Sequence, residues 1–314
     1  MKKRIKLAAL IKNYLFSFHI SKKKMEANLI NSPSYFIKKF AQVNNCLKQN
    51  KNTSFSSMNS FNTESSIEEL NSKTRKIRIG TFNIRNVTDH YEKRLPLILK
   101  EIEKMNCDFL GLQEVNFLNT KNQLKDLNPY NKYLTFPVTT QMNLNLSRKE
   151  SPDKEFNIDG NAVLIKEDYL NSISYFENLK NEEVSKYHKI LNLSPFRVAQ
   201  MITTEIKIEE NKSLKVNFVN THLHSTINEE LIRTHEMRNI IFWIENNTTE
   251  NDLTIIVGDF NTLPDTATYK RVIESGFVSL HKEHHFNEPE KTFHTKMEAP
   301  FKDDDPEGTF DYIL

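Results

Sequence analysis

The sequence predicts a layered α/β fold in a single domain, with β-sheets and α-helices packed against one another. Short runs rich in Val, Ile and Phe alternate with amphipathic segments along most of the chain after residue 75. Several of these runs are apolar throughout, and such strands are usually covered on both faces. With 38% hydrophobic residues and no apolar run near the roughly 20 residues that span a bilayer, the sequence favours a soluble globular protein.

The first 74 residues differ in composition from the rest. Residues 1–60 contain twelve Lys or Arg and one acid, Glu26, so the remainder carries −9 within a total net charge of +2. The basic start is compatible with an organellar transit peptide and with a disordered tail, and the Ser- and Asn-rich stretch up to residue 74 is typical of a linker. Two cysteines offer no disulfide framework. We therefore predict a leader and linker at 1–74, a folded domain at 75–314, and an intracellular protein, either cytoplasmic or, with a transit peptide, mitochondrial.

Removal of residues 1–70 is expected to leave the rest of the protein folded, because that segment lacks apolar periodicity. Thermal unfolding of the full and shortened chains followed by circular dichroism checks this expectation. Loss of cooperative unfolding in the shortened chain would show that the basic leader docks on the acidic body.

The first predicted elements are a strand, a helix and a second strand. In KIRIGTFNIRN the alternation places Ile77, Ile79 and Asn83 on one face. KRLPLILKEIEKMN has apolar residues at helical spacing, and Pro96 is assigned to its first turn, where proline is tolerated. CDFLGLQEV is predicted to be a strand that ends at Glu114.

The second half of the domain repeats this alternation. DGNAVLIK, FRVAQMITTEIKI and LKVNFVNTHLHS are predicted strands, followed by a helix in NEELIRTHEMRNIIFWIENN with Asn228 as its N-cap. TIIVGD is a strand of β-branched residues, TATYKRVIES is a helix closed by Gly276, and GTFDYIL is the last strand.

Six polar residues share one placement, at or near the end of an otherwise apolar strand. They are Asn83, Glu114, His222, Asp259, Asn261 and Asp311. Asp259 and Asn261 alone also fit a simple turn, since both residue types are common turn formers. Burying all six separately would be costly, whereas gathering them at one rim around a cation and water avoids that cost.

Carboxylates and carboxamides without a thiolate form an oxygen-rich ligand set, which favours Mg²⁺ or Mn²⁺ over Zn²⁺. Mg²⁺ is commonly held by one or two carboxylates together with substrate phosphate oxygens. A metal-dependent phosphoester hydrolase therefore fits this set better than a structural metal site.

Six stretches resemble, in order, the motifs of the endonuclease/exonuclease/phosphatase superfamily, the deoxyribonuclease-I-like metal-dependent phosphoesterases. They are TFNIR, DFLGLQEV, GNAVLIK, NTHLHS, VGDFNTLPDT and GTFDYIL, and they span residues 77–314. The resemblance implies a four-layer sandwich, with two central, mostly antiparallel β-sheets flanked by helices and a site at the strand ends. It also implies hydrolysis of a phosphodiester or phosphomonoester by metal-assisted attack of water. The substrate (nucleic acid, phosphoinositide, sphingomyelin or a small phosphoester) and the oligomeric state stay open.

The resemblance also assigns roles by motif position. Glu114 corresponds to the principal metal ligand and Asn83 to a metal-site or phosphate contact. Asp259 corresponds to the residue that activates water, and Asn261 to its partner on the phosphoryl group.

Four further assignments follow from the same motifs. His222 resembles a phosphate-contacting histidine or general acid, and Asp311 a second metal-site acid or a histidine-orienting acid. Arg197 occupies the place of a basic substrate contact, and Asp159 is assigned to the substrate site as a residue that orients His222.

One departure from the family pattern concerns the carboxyl terminus. The pattern places a Ser-Asp-His motif some tens of residues after the strand that matches GTFDYIL, and the sequence reaches Leu314 inside that strand. On the resemblance, the chain is expected to be truncated and nearly inactive. The alternative function is therefore a catalytically inactive scaffold that binds phosphorylated ligands or a partner protein.

Overall fold

A computed structural model describes residues 16–20, 75–86, 90–117, 123–140, 159–169, 187–209, 212–226, 228–293 and 307–314. Within these ranges, ten strands form two five-stranded sheets. The first sheet has the order β1-β2-β3-β5-β4, with β1 Phe16–Ile20, β2 Arg75–Asn83, β3 Phe109–Asn116, β4 Tyr133–Val138 and β5 Asp159–Lys166. The second has the order β10-β9-β8-β7-β6, with β6 His188–Ser194, β7 Arg197–Glu209, β8 Lys212–His222, β9 Leu253–Asp259 and β10 Asp311–Ile313.

Each sheet combines one parallel pair with antiparallel pairs. The parallel pairs are β2–β3 and β8–β9, which lie at corresponding places in the two sheets. The described helices are α1 Tyr91–Met105, α2 Gln123–Leu127, α3 Glu230–Glu245, α4 Ala267–Glu274 and α5 Leu280–His285, and a 3-10 turn spans Glu167–Tyr169. Parallel neighbours need a crossover connection, and α1 and α3 provide it for the two pairs.

Three buried clusters define the layers. The central cluster joins the inner faces of the two sheets, with Ile77 and Phe109 of the first sheet packed against residues such as Phe218 of the second. A second cluster packs α1 on the outer face of the first sheet, and a third packs α3 and α4 on the outer face of the second. The layers are thus helix, sheet, sheet and helix, which confirms the predicted fold class.

A polar group inside this core ties the two sheets together. Asn220 of β8 accepts a hydrogen bond from Gln113 Nε2 of β3 at 2.7 Å, and its own Nδ2 donates to the carbonyls of Leu112 and Ala162, both at 3.0 Å. Gln113 also bonds Thr81 of β2. Buried amides that satisfy one another across a sheet interface specify how the sheets align, because any other alignment would leave them unpaired.

Several sequence-based expectations about element boundaries are wrong. Pro96 lies beyond the first turn of α1, since that helix begins at Tyr91. The N-cap of α3 is Glu229 rather than Asn228. Strand β3 continues past Glu114 to Asn116, with a register shift between Leu112 and Val115.

Two sheet strands in the predicted domain were not expected. Strand β4 contains Pro137 and β6 has an irregular, half-exposed pattern, so both lack the usual alternation signal. Each lies at the edge of its sheet, where proline and exposed side chains are tolerated.

The leader falls almost entirely outside the described residues. Its described part, β1, pairs antiparallel with β2 from Phe16 opposite Ile79 to Ile20 opposite Arg75. The boundary near residue 74 and the transit-peptide and linker assignments stay predictions. No helix in the described ranges is long and apolar enough to cross a membrane.

Candidate active site

The candidate site lies where β2, β3, β8, β9 and β10 end at the same rim. In the parallel β8–β9 pair, His222 stands opposite Asp259. In the antiparallel β9–β10 pair, Asp311 stands opposite Asp259 from the other side. Register alone therefore places these three side chains in a row across the second sheet.

Asn83 joins the two sheets at this rim. Its Nδ2 donates to Glu114 Oε1 at 2.9 Å and to Asp259 Oδ2 at 3.0 Å. Its Oδ1 accepts the backbone N–H of Arg85 at 2.9 Å. One amide thus brings an acid of each sheet within reach of a common point between them.

Two site residues have a left-handed backbone that is unusual for residues other than glycine. Glu114 has a φ of 55° at the bulge in β3, and Asn261 has a φ of 49° just after β9. Such conformations cost about 1–3 kcal/mol and tend to be found at functional sites. At Glu114 the bulge interrupts the alternation of β3 and brings the carboxylate to Asn83.

The turn after β9 is held by hydrogen bonds on both sides. Asn261 N–H donates to Asp259 Oδ1 at 2.9 Å, and its side-chain Nδ2 donates to the carbonyl of Leu223 at 3.0 Å. Asn261 is therefore both a turn former and a part of the site, so the two sequence interpretations describe the same residue.

The site brings three carboxyl groups close together, and this changes the pKa of two of them. Burial raises the pKa of Asp311 well above its usual range, and the nearby carboxylates of Asp259 and Glu114 raise it further. Burial also raises the pKa of Asp259, although the hydrogen bonds from Asn83 and Asn261 and the charge of Arg197 act in the opposite direction. The charged form of Asp311, next to the carboxylates of Asp259 and Glu114, is one that a bound cation would stabilise.

The donor set fits a hard divalent cation. No group of three or more His, Cys, Asp or Glu in the described part of the chain is arranged to hold a metal by itself. Mg²⁺ does not require such a cage, because it usually keeps several waters and takes one or two carboxylates plus substrate oxygens. Glu114 and Asp311 offer carboxylate oxygens of that kind.

His222 is buried and neutral. Burial lowers its pKa well below the usual value, and the charge of Arg197 lowers it further. Arg197 Nη1 lies 3.3 Å from His222 Nδ1, and a guanidinium can only donate, so Nδ1 is the acceptor and the ring proton is on Nε2. Nε2 lies 3.9 Å from Asp259 Oδ2, too far for a hydrogen bond between them.

A pocket opens beside His222 and Arg197. Its other lining residues come from the end of the β4 segment, from β5, and from the turn before β7 and its first residues, and they are Thr139, Gly160, Asn161, Phe196 and Val198. Phe196 is 51% exposed, so its ring presents an apolar surface next to the basic side chain.

The structure brings most of the predicted site residues together. Asn83, Glu114, Asp259, Asn261, His222 and Arg197 form one chain of contacts, and Asp311 joins it through its pairing with Asp259. Asp159 begins β5, and its side chain lies outside the described part of the structure. Its assignment to orient His222 stays a prediction.

Two residues near the site were missed in the sequence. Thr292 Oγ1 donates to Asp311 Oδ2 at 2.6 Å, and Ser225 Oγ accepts from Arg197 Nη2 at 3.0 Å. Ser225 follows the NTHLH stretch directly, which is a signal in the sequence. Thr292 lies 19 residues before Asp311, and no local pattern connects them.

Comparisons with known proteins identify the family and the fold of the chain. A sequence profile described as the Endonuclease/Exonuclease/phosphatase family matches residues 80–314. The chain is similar to the structure of an endonuclease/exonuclease/phosphatase family protein from Bacteroides thetaiotaomicron, with a TM-score of 0.51 and 16% identity over 75% of this chain and 79% of that one. It is also similar to a humanized D. rerio TDP2, with a TM-score of 0.50 and 16% identity over 75% of this chain and 81% of that one.

The human Nocturnin catalytic domain is 23% identical over 76% of this chain and 81% of its own, with a TM-score of 0.49. A search of curated proteins gives no significant match. The two structures with the higher TM-scores show the shared fold.

Proposed function

The chain belongs to the endonuclease/exonuclease/phosphatase family, and from that membership we propose that it is a divalent-metal-dependent phosphoesterase. Members of this family are hydrolases that act on phosphate esters and generally depend on a divalent metal. The observation that carries the proposal is the Asn83 amide, which holds the carboxylates of Glu114 and Asp259 from two different sheets. This arrangement supports one site to which both sheets contribute an acid.

Glu114 and Asp311 are the residues that would hold Mg²⁺ or Mn²⁺. The cation would supply neutralisation of the charge on the phosphate oxygens. Asn83 contributes mainly by positioning, since its amide hydrogens reach both acids and its oxygen already accepts the Arg85 N–H.

Asp259 is the proposed general base. Its pKa is raised by burial, which makes its carboxylate a better proton acceptor from water than an exposed aspartate is. The hydrogen bond from Asn261 N–H fixes the orientation of this carboxylate, and the second Nδ2 hydrogen of Asn261 is directed to a phosphoryl oxygen in the proposal. The oxygen of the attacking water bonds to phosphorus and its proton passes to Asp259, while the ester oxygen–phosphorus bond breaks and the leaving oxygen takes a proton from solvent to depart as an alcohol.

His222 and Arg197 bind the phosphoryl group in this proposal. A neutral His222 with its proton on Nε2 donates a hydrogen bond without adding a charge, which supports the phosphate-contact role over the general-acid role. Arg197 supplies the positive charge beside it and faces the pocket that includes Phe196.

Hydrolysis of a panel of substrates tests the proposal. The panel is p-nitrophenyl phosphate, bis(p-nitrophenyl) phosphate, RNA and sphingomyelin, each with Mg²⁺, with Mn²⁺ and with EDTA. EDTA-sensitive hydrolysis of any one of them supports the proposal and identifies the phosphoester class. Calorimetric binding of Mn²⁺ and inorganic phosphate without hydrolysis would favour the non-catalytic scaffold, and failure to bind Mn²⁺ would contradict the metal site.

Glu114→Gln is expected to weaken Mn²⁺ binding by at least about tenfold, because an amide oxygen is a poorer ligand for a hard cation than a carboxylate. Calorimetric titration of the parent and the variant measures the shift. Glu103→Gln, an exposed position on α1, makes the same chemical change away from the site and should bind like the parent. Superimposable titrations of Glu114→Gln and the parent would remove Glu114 from the metal site.

A further inference from the structure

We infer that three charged residues on the inward face of α3 position the two loops that carry the catalytic groups of the second sheet. We name Glu230, Arg233 and Glu236 the α3 brace. The inference rests on the proposed function, since it assigns positioning residues to that site. None of the three side chains lies among the site residues described above.

Arg233 holds the loop that follows β8. It is 2% exposed, and its Nη1 donates to the carbonyls of His224 at 3.2 Å and Thr226 at 2.6 Å. Between these two carbonyls lies Ser225, whose hydroxyl accepts from Arg197. The guanidinium therefore fixes the backbone on both sides of the residue that anchors Arg197.

Glu236 holds the same loop from the other direction. It is 1% exposed, and its Oε2 accepts the backbone N–H of His224 at 2.8 Å. His224 is thus bound at its N–H by Glu236 and at its carbonyl by Arg233. Both backbone groups of one residue, two positions after His222, are fixed by side chains of α3.

Glu230 extends the brace to the loop that follows β9. Its carboxylate accepts from Thr262 Oγ1 at 2.9 Å and from the backbone N–H of Thr268 at 2.8 Å. It also receives Arg233 Nε at 3.1 Å, so the two loops are connected through one ion pair. Thr262 follows Asn261 directly, and Thr268 lies in the first turn of α4.

The two loops are also bonded to each other on the side of the site. Asn261 Nδ2 donates to the Leu223 carbonyl at 3.0 Å, and Leu223 N–H donates to the Asp259 carbonyl at 3.0 Å. The contacts with α3 on one side and these bonds on the other restrain both loops, and they therefore restrain the distance between His222 and Asp259.

Stability alone is a weak reason for these charges. Burying ionised side chains is costly, and well-packed apolar residues are often as stabilising or more so. The same helix already packs Met237, Ile240 and Ile244 against the second sheet. Charged residues in the first part of its buried face instead satisfy loop backbone groups that an apolar face would leave unpaired.

Two pairs of substitutions test the inference. Glu236→Leu removes the acceptor for His224 N–H, whereas Glu236→Gln keeps an acceptor oxygen at the same place. Arg233→Lys keeps the positive charge but removes the guanidinium group, whose several N–H donors bond both loop carbonyls and Glu230. Arg238→Lys makes the same change at an exposed position of α3. The measurements are inorganic phosphate affinity by calorimetry, kcat and KM on any hydrolysed substrate, the unfolding temperature, and the His222 imidazole ¹⁵N signals. Comparison with His222→Gln assigns those signals.

In Glu236→Leu and Arg233→Lys we expect the His222 signals to move toward a mixture of tautomers and phosphate affinity to fall by about tenfold. Glu236→Gln and Arg238→Lys should match the parent within about threefold. A lowered unfolding temperature with parent-like His222 signals and phosphate affinity would show that the residues only support the fold, and would overturn the inference. If Glu236→Leu does not fold, Arg233→Lys decides the question.

Failure of the proposed function is distinguishable from failure of the brace. A parent protein that neither binds phosphate nor hydrolyses any ester contradicts the proposed function. The His222 signals of the variants still report whether α3 fixes the loop in that case. Unmoved signals would overturn the brace by themselves.

Discussion

Asp259→Asn is expected to lower kcat by about 10²–10⁴-fold on whichever substrate the parent hydrolyses, because an amide cannot accept a proton from water. The fold should persist, since the side chain keeps its size and one oxygen to accept from Asn83 or Asn261. Asp265→Asn, an exposed position in the same loop, is the matched control and should leave kcat unchanged. Turnover of Asp259→Asn near that of the parent would reduce Asp259 to a turn former.

The same variant has a consequence for stability without metal. Because burial and, after it, the carboxylate of Asp259 raise the pKa of Asp311, the folded parent holds the Asp311 proton more tightly than the unfolded chain does. Its free energy of unfolding should therefore fall as pH rises from the ordinary aspartate range through the raised pKa of Asp311. Asp259→Asn removes one like charge, so urea unfolding in EDTA should show a smaller fall over that range.

Gly258→Ala is expected to lower the free energy of unfolding by about 3 kcal/mol or more, since backbone strain and overpacking each cost about 1–3 kcal/mol. Gly258 has a φ of 149°, and an added Cβ would lie 1.9 Å from the carbonyl oxygen of Thr221 on β8. Neither the backbone conformation nor the spacing of a parallel pair accommodates a methyl group there.

Gly276→Ala separates the two causes. Gly276 has a φ of 95° after α4, and a Cβ there would have no heavy atom within 4 Å. The variant should lose only the conformational contribution, about 1–2 kcal/mol. Urea unfolding of both variants measures the difference, and equal losses would show that the contact with Thr221 does not matter.

Strand-end positions could be predicted because their signal is local. The run from Thr254 to Val257 consists of β-branched residues and predicts a buried strand. In the structure Asp259 is the last residue of that strand and Asn261 lies two residues further on, as the sequence predicts. The same holds for His222 at the end of β8 and Asp311 at the start of β10. In each case a buried strand fixes where the polar side chain emerges.

The contacts that join these ends are non-local. Asn83 and Asp259 are separated by 176 positions, and no pattern near either residue specifies that one amide serves both acids. Strand β3 was expected to end at Glu114, but it has a bulge there and continues. The alternation of apolar and polar residues does not predict a bulge, because a bulge inserts one residue without a partner. Asn220 and Gln113 also read as ordinary strand residues until the second sheet is placed over the first.

The sequence contains an indication of the α3 brace, namely charged residues at the positions where helical periodicity predicts apolar ones. Glu230, Arg233 and Glu236 recur at intervals of three on the face that continues into Met237 and Ile240, and Arg233 and Glu236 are buried while Glu230 is half-buried. Charges on the buried side of an amphipathic helix indicate unpaired backbone groups opposite them. The sequence does not show which loops supply those groups.

Because Asn83 bonds both Glu114 and Asp259, the site forms only when the two sheets pack against each other. A partly denatured state with both sheets formed but separated would retain every candidate residue and nearly all secondary structure. It would nevertheless lack the assembled candidate site, since Glu114 belongs to the first sheet and Asp259 and Asp311 belong to the second. Activity would then report the closure of the sandwich, and its loss on denaturation would precede the loss of helix and strand.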